Sequence, residues 1–192
     1  FCLSRGLGDV YKRQAMDDAL IHFYYQFHKH QHYFLCHDIL EEAWKLNPSF
    51  SKNDAVVSLI LFATACYHYR RDNIKGALKS YEKSLSVIKQ AKDKTQLHLN
   101  IDEYQSMILH QINSIRDHHV FVPVKLPIHT SFEKVIKRVY QDYSFTQFVI
   151  SEPYIVHHHI KRDRTEVIQA REEARQLRRS HTQRPYNTLK DQ

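Results

Sequence analysis

The chain has 192 residues, of which 42% are hydrophobic and 12% aromatic, so it can bury a core and need not be disordered. It contains only three glycines, which disfavours an all-β protein because sheets usually need turn glycines. The formal net charge is +7, but residues 161–192 alone carry nine Lys or Arg against five Asp or Glu. The basic charge therefore lies largely in the tail, and a nucleic-acid-binding body is not indicated.

Residues 1–15 differ in character from the rest of the chain. The stretch from Ser4 to Gln14 reads SRGLGDVYKRQ, which matches a translated transposase-type sequencing adapter, and Met16 follows closely. The stretch also lacks apolar periodicity. We therefore interpret residues 1–15 as an artefactual or disordered leader and begin the first predicted helix at Asp17.

Apolar residues recur at three- and four-residue spacing through most of the remaining chain, which predicts α-helices. The predicted helices cover residues 17–30, 32–46, 54–71, 76–92, 101–118 and 131–143. Residues 54–71 are apolar nearly all round, so this helix is expected at the centre. Residues 121–127 contain two prolines and are expected to be extended across the bundle. The predicted fold is all-α, a compact bundle of five or six helices within residues 16–145.

Residues 146–192 are predicted to form a linker and a basic helical tail with a disordered end. The polar helix of the tail is placed at residues 163–179, where few large apolar residues occur. Four arginines form a basic stripe on it: Arg171, Arg175, Arg178 and Arg179. The stripe is either a solvated helix face or a contact surface for nucleic acid or an acidic protein.

Cysteine usage and hydropathy indicate in which cellular compartment the protein is expected. Cys36 and Cys66 both lie within apolar helical patterns, and two buried thiols fit a reducing cytoplasm better than a disulfide framework. The longest apolar run, residues 55–67, is shorter than the roughly 20 residues needed to span a bilayer. We expect a cytoplasmic protein that makes no membrane contact.

The residues best suited to catalysis or to ligand binding lie on the second predicted helix. His37, Glu41 and Trp44 stand at positions i, i+4 and i+7, so they share one stripe of the helix. This stripe is expected to face the core, with partners at the end of the third helix. Because charged groups are seldom buried alone, the arrangement needs an explanation.

Three explanations of this cluster remain open from the residues alone. The first is a buried polar clasp that serves only the fold, and the second is a pocket for a small ligand or peptide. The third is a metal or acid–base site built from His37, Glu41 and His68, for which no fourth ligand can be identified. A nucleophile with an adjacent base cannot be assigned anywhere in the sequence.

The segment Tyr33–Trp44, YFLCHDILEEAW, resembles the signature of the bacterial and archaeal family called domain of unknown function 309, His-x-x-Leu-Glu-x-x-Trp after an aromatic residue. A second element of that family, a helix ending in His-x-Arg before a turn and Gly-Ala, is similar to residues 68–77. The resemblance implies a compact helical bundle with no established activity. It points to these residues: His37, Glu41, Trp44, His68, Arg70, Arg71, Asn73 and Gly76. The chain departs from the family pattern at Leu61, where Gln is common, and at Asp72, where Gly is usual.

Together these features predict a non-enzymatic binding or scaffold module with a buried His/Glu/Trp cluster. The alternative is a metal-assisted or acid–base enzyme that uses His37, Glu41 and His68. No cofactor is assigned beyond that metal alternative. The partner, ligand and oligomeric state are not specified by the sequence.

Overall fold

The computed structural model describes the backbone of residues 3–161 and the side chains of residues 13–159. The predicted tail helix and its four arginines lie outside these residues. The chain forms two compact units, Phe1–His158 and His159–Gln192. The sequence placed the end of the helical domain at residue 145, whereas the first compact unit extends to His158.

The described residues form α-helices, which are joined by short turns and by several longer non-helical segments. The helices are α1 (Leu3–Tyr25), α2 (Tyr33–Lys45), α3 (Ala55–Arg70), α4 (Ile74–Gln90), α5 (Ile101–Arg116), α6 (Thr130–Val139), α7 (Pro153–Val156) and α8 (His158–Lys161). A π-helical turn, Gln26–His30, continues α1, and a 3-10 turn covers Thr95–Leu97. Within this range the β-structure is one isolated bridge between Leu99 and Ile128. The all-α prediction is confirmed.

Helix α1 begins at Leu3 rather than at the predicted Asp17. No proline interrupts residues 3–16, so helical geometry can continue through them. The buried face of α1 has the predicted spacing and consists of Leu20, Phe23, Tyr24 and Phe27. The origin of residues 1–15 as a translated adapter stays a prediction, because backbone geometry does not bear on it.

Helix α3 lies at the centre of the bundle, as its apolar sequence predicted. Eleven of its sixteen residues are buried, and it packs against both α2 and α4. Helices α3 and α4 are joined by a three-residue turn, in which Asp72 has a φ of 58°. A left-handed conformation favours glycine, which agrees with the glycine that the family resemblance leads us to expect at this position. Asp tolerates the conformation better than most other side chains do.

Helix α5 and the segment after it cover one side of the bundle. Asn100 caps α5 by accepting a hydrogen bond from the backbone N–H of Glu103 at 3.3 Å. Residues 119–127 form neither helix nor strand, and Phe121 and Leu126 among them are buried. Val120 and Val122 on the same segment are 82% and 60% exposed.

Residues 142–158, here called the strap, return across the bundle. The Thr146 N–H donates to the carbonyl oxygen of His28 at 3.0 Å, and its hydroxyl donates to the carbonyl oxygen of Lys29 at 2.8 Å. The strap therefore belongs to the first compact unit. Among the described helices, none combines the length and the apolar content that crossing a bilayer requires.

Candidate functional site

The stripe of α2 that carries His37, Glu41 and Trp44 is half-buried, so the expectation of a buried cluster is wrong. The side chains of His37 and Glu41 expose 29% and 36% of their surface. Each residue turns a helix by about 100°, so His37 is rotated away from the core that its neighbour Cys36 enters. The residues of α2 that are buried are Tyr33, Cys36 and Leu40.

His37 and Glu41 have their polar neighbours on α2 itself. The Nδ1 of His37 lies 3.0 Å from Oδ1 of Asp38 and 4.0 Å from Oε2 of Glu41. The other oxygen of Glu41 lies 3.0 Å from Nζ of Lys45. Ion pairs one helical turn apart near the surface contribute about 0.3–0.5 kcal/mol to stability. These two side chains therefore add little to the fold and remain accessible to a partner.

Trp44 fixes the loop between α2 and α3. Its indole N–H lies 3.0 Å from Oδ2 of Asp54 and 3.2 Å from the carbonyl oxygen of Ser51. Asp54 stands at the start of α3, but its carboxylate accepts from Trp44 and from the Ser51 N–H instead of capping the helix. The ring of Phe50 meets Trp44 edge to face at 4.9 Å between centroids. This loop exposes two large apolar side chains, Leu46 at 74% and Phe50 at 48%.

The second motif element orients His68. The amide oxygen of Asn73 accepts from the Gly76 N–H at 3.0 Å and caps α4, while Nδ2 of Asn73 lies 3.0 Å from Nδ1 of His68. An amide NH₂ can only donate, so Nδ1 of His68 is an acceptor and the proton of the neutral ring sits on Nε2. Burial, and secondly the charge of Arg71, lower the pKa of His68, which favours this neutral form.

Arg70 and Arg71 have different surroundings. The guanidinium of Arg70 donates to the carbonyl oxygens of Gln31 at 2.8 Å and Ile155 at 3.2 Å. It also lies over the ring of Tyr33 at 4.8 Å. Arg70 thus ties the end of α3 to the start of α2 and to the strap. The guanidinium of Arg71 lies over the ring of Tyr67 at 5.1 Å.

The structure changes the set of residues that could bind a metal ion. One ligand atom from each of His37, Asp38 and Glu41 lies within 4.8 Å of the others. His68, the third ligand expected from the sequence, is not part of this group in the described region, and its Nδ1 is engaged by Asn73. Asp38 was missed because it follows His37 directly, a spacing that motif searches for helical metal sites do not favour.

Two buried polar residues were also missed. The sequence patterns did not single out His28 or Gln31, yet both side chains are fully buried. His28 Nε2 accepts from the Leu126 N–H at 2.9 Å, and its Nδ1 lies 2.6 Å from the hydroxyl of Tyr143. The available signal was spacing, because His28 stands four residues after the buried Tyr24 and shares its stripe.

Gln31 holds the strap by its side chain. Its Nε2 donates to the carbonyl oxygens of Thr146 at 3.1 Å and Phe148 at 2.7 Å, and its Oε1 accepts from the Ile150 N–H at 3.0 Å. The side-chain amide of Gln31 thus bonds to the backbone of the strap in the way that the backbone of a neighbouring β-strand would. A polar clasp therefore exists in this protein, but it is built from the buried His28 and Gln31 together with the part-buried Arg70.

Comparison with known proteins places these residues in a family. The family model described as domain of unknown function (DUF309) matches residues 20–80, which include both motif elements. The chain is similar to the uncharacterized protein YpuF of Bacillus subtilis (strain 168), with 31% identity over 163 residues. That alignment covers 80% of this chain and 91% of the relative. No solved structure shows a significant match.

Proposed function

This chain belongs to the DUF309 family, and we propose that it is a non-catalytic binding module whose partner surface is the exposed side of α2 with the loop that follows. The observation that carries the proposal is that His37, Glu41 and Trp44 lie half-exposed on one stripe, with the exposed ring of Phe50 packed against Trp44. This set of four residues is called the α2 surface.

The composition of the α2 surface fits a protein partner. Aromatic side chains are enriched in protein interfaces, and Trp is among the residues most often found as a binding hot spot. Trp44 is also held in place by its bonds to Asp54 and Ser51, so little side-chain entropy is lost when a partner packs on it.

The chemistry of the thiols supports a non-catalytic role. Cys36 and Cys66 are both fully buried. Burial raises the pKa of Cys36 well above its usual value and that of Cys66 to about 12, so both stay protonated and poorly nucleophilic. Buried, reduced thiols also support our placement of the protein in the cytoplasm.

Photo-crosslinking in cells tests the proposal. A benzophenone amino acid at position 50 is expected to give a discrete adduct, and the same label at Val139, a 57% exposed position on α6, is not. Glu41→Lys should abolish the adduct. Glu133→Lys is the matched control, because Glu133 forms an equivalent ion pair with Lys137 one turn away on α6. No discrete adduct at position 50, or one that Glu41→Lys leaves intact, contradicts the proposal.

A second candidate function is supported by one observation, the grouping of His37, Asp38 and Glu41. Nitrogen and oxygen ligands lie about 2.0–2.2 Å from Zn²⁺, so two ligands of one ion are separated by roughly 3–4 Å. The distances from His37 Nδ1 to the two carboxylates, 3.0 and 4.0 Å, fit that range. A divalent cation held there would support metal-assisted or acid–base chemistry.

Metal content separates the two candidates. Untagged protein beginning at Met16, loaded with zinc or manganese and dialysed, is analysed by plasma mass spectrometry. A stoichiometric metal that His37→Ala removes, and that His110→Ala at an exposed position leaves in place, favours the metal candidate. Equal, substoichiometric metal in all three proteins eliminates it.

A further inference from the structure

A cavity of about 480 Å³ lies between the α3–α4 turn, the end of α5 and the strap. Its lining combines apolar walls with a few polar groups, among them Arg70 and Asp72. A volume of several hundred cubic ångströms is typical of sites for small molecules. The second motif element, residues 68–77, contributes Tyr69, Arg70, Asp72 and Ile74 to this lining, and no residue of the α2 surface takes part in it.

The cation in this lining lacks a counter-charge. The guanidinium of Arg70 is bonded to two neutral carbonyl groups, and no Asp or Glu in the described part of the chain forms an ion pair with it. Its Nε is buried and donates to no acceptor. Arginine keeps its charge in proteins, so the site holds an uncompensated positive charge and an unused donor in a poorly solvated place.

The mouth of the cavity is apolar and exposed. Ile74, Val120 and Val149 line it and leave 39%, 82% and 43% of their surfaces in water. Behind them, Ile115 and Phe121 are buried and form the wall. Covering the three exposed side chains would remove apolar area from water, which is worth about 25 cal/mol per Å².

We propose that this cavity binds a small amphipathic carboxylate, with its anionic head at Arg70 and its apolar body between Val120 and Val149. The charge of the head complements the guanidinium, whose two terminal nitrogens each carry a second N–H beyond those bonded to Gln31 and Ile155 and can donate it to the head. The apolar body covers the exposed rim. Asp72 at the exposed edge excludes a second anionic group, so the ligand carries one charge and one apolar end.

Calorimetric titration with decanoate and decan-1-ol tests the proposal, because the two probes share an alkyl chain and differ in the head. Below micelle-forming concentrations, decanoate is expected to bind one site about tenfold or more tightly than the alcohol does. Equal affinities would show adhesion to apolar surface without a role for Arg70 and would overturn the proposal. An absence of decanoate binding to folded protein overturns it as well.

Variants locate the site without disturbing the bonds that Arg70 makes to the fold. Val149→Glu places a carboxylate at the mouth of the cavity and is expected to weaken decanoate binding about tenfold or more. Val139→Glu introduces the same charge at a similarly exposed valine on α6 and should change the affinity less than about twofold. If both variants bind decanoate like the wild type, the carboxylate site is elsewhere and the proposal fails.

Discussion

At the residue scale, two groups of polar side chains differ in their surroundings. His28 and Gln31 are fully buried and bonded to backbone atoms of distant segments. His37 and Glu41 expose about a third of their side chains and contact residues on their own helix. The first group serves the fold, because each member left without its partner would be an unsatisfied buried group.

The buried histidine makes stability depend on pH. Burial, with a smaller contribution from Lys125, lowers the pKa of His28 from 6.5 to about 3. Below pH 6.5 the unfolded chain therefore binds a proton that the folded chain does not, and the free energy of unfolding decreases as the pH falls. The expected slope from this residue is about 1.4 kcal/mol per pH unit between pH 6 and 4.

Urea unfolding between pH 7.5 and 4.5 measures this dependence. His28→Asn should be less stable at pH 7.5 and should show a shallower loss toward pH 4.5. His110→Asn, at an exposed position of α5, is the matched control and should retain the wild-type slope. Equal slopes for His28→Asn and the wild type would show that His28 takes up its proton in the folded protein as readily as in the unfolded chain.

At the element scale, the start of α4 depends on a close fit between Asn73 and Gly76. A Cβ at position 76 would lie 2.8 Å from Nδ2 of Asn73. Gly76→Ala should therefore destabilise the wild type although alanine favours helices. In the Asn73→Ala background the obstacle is gone, and Gly76→Ala should stabilise by up to about 1 kcal/mol.

A double-mutant cycle in urea measures this reversal of sign. Asn73→Ala alone should cost about 1 kcal/mol through loss of the cap. If Gly76→Ala has the same effect in both backgrounds, Asn73 is not what requires glycine at position 76.

The attachment of the strap depends on Gln31. Its φ of 51° is compatible with asparagine, so Gln31→Asn keeps the turn and shortens the side chain beyond the reach of the strap. The loss of three hydrogen bonds should destabilise the protein by about 1–3 kcal/mol. Hydrogen exchange at the Ile150 amide should become at least about tenfold faster.

Gln90→Asn is the matched control for this experiment, because Gln90 is exposed and bonds to the nearby Ser86. Gln90→Asn should leave the rate of amide hydrogen exchange in the strap unchanged. Slow exchange at Ile150 in Gln31→Asn would mean that other contacts hold the strap.

At the scale of the whole molecule, helical periodicity was sufficient to predict the bundle. The continuous apolar character of α3 predicted its central position, and the spacing of Leu20, Phe23, Tyr24 and Phe27 predicted the buried face of α1. The packing of the strap was not predictable in this way. It is attached by side-chain bonds to backbone carbonyl and amide groups, and such bonds leave no periodic pattern in a sequence.

The burial of the motif was wrongly predicted for a geometric reason. His37, Glu41 and Trp44 do share a stripe, but a stripe one residue away, that of Cys36 and Leu40, is the one that enters the core. Sequence spacing shows which residues share a face, whereas the direction of that face depends on packing with α1 and α3. The basic tail, with Arg171, Arg175, Arg178 and Arg179, remains a prediction outside the described residues.

The most direct test of the α2 surface is the free energy of unfolding of the double variant His37→Ala/Glu41→Ala, measured in urea at pH 7.5. If these side chains serve a partner and not the fold, the variant should lose less than about 1 kcal/mol relative to the wild type. A loss of about 3 kcal/mol or more would show that they form a structural clasp and would contradict the proposed binding role.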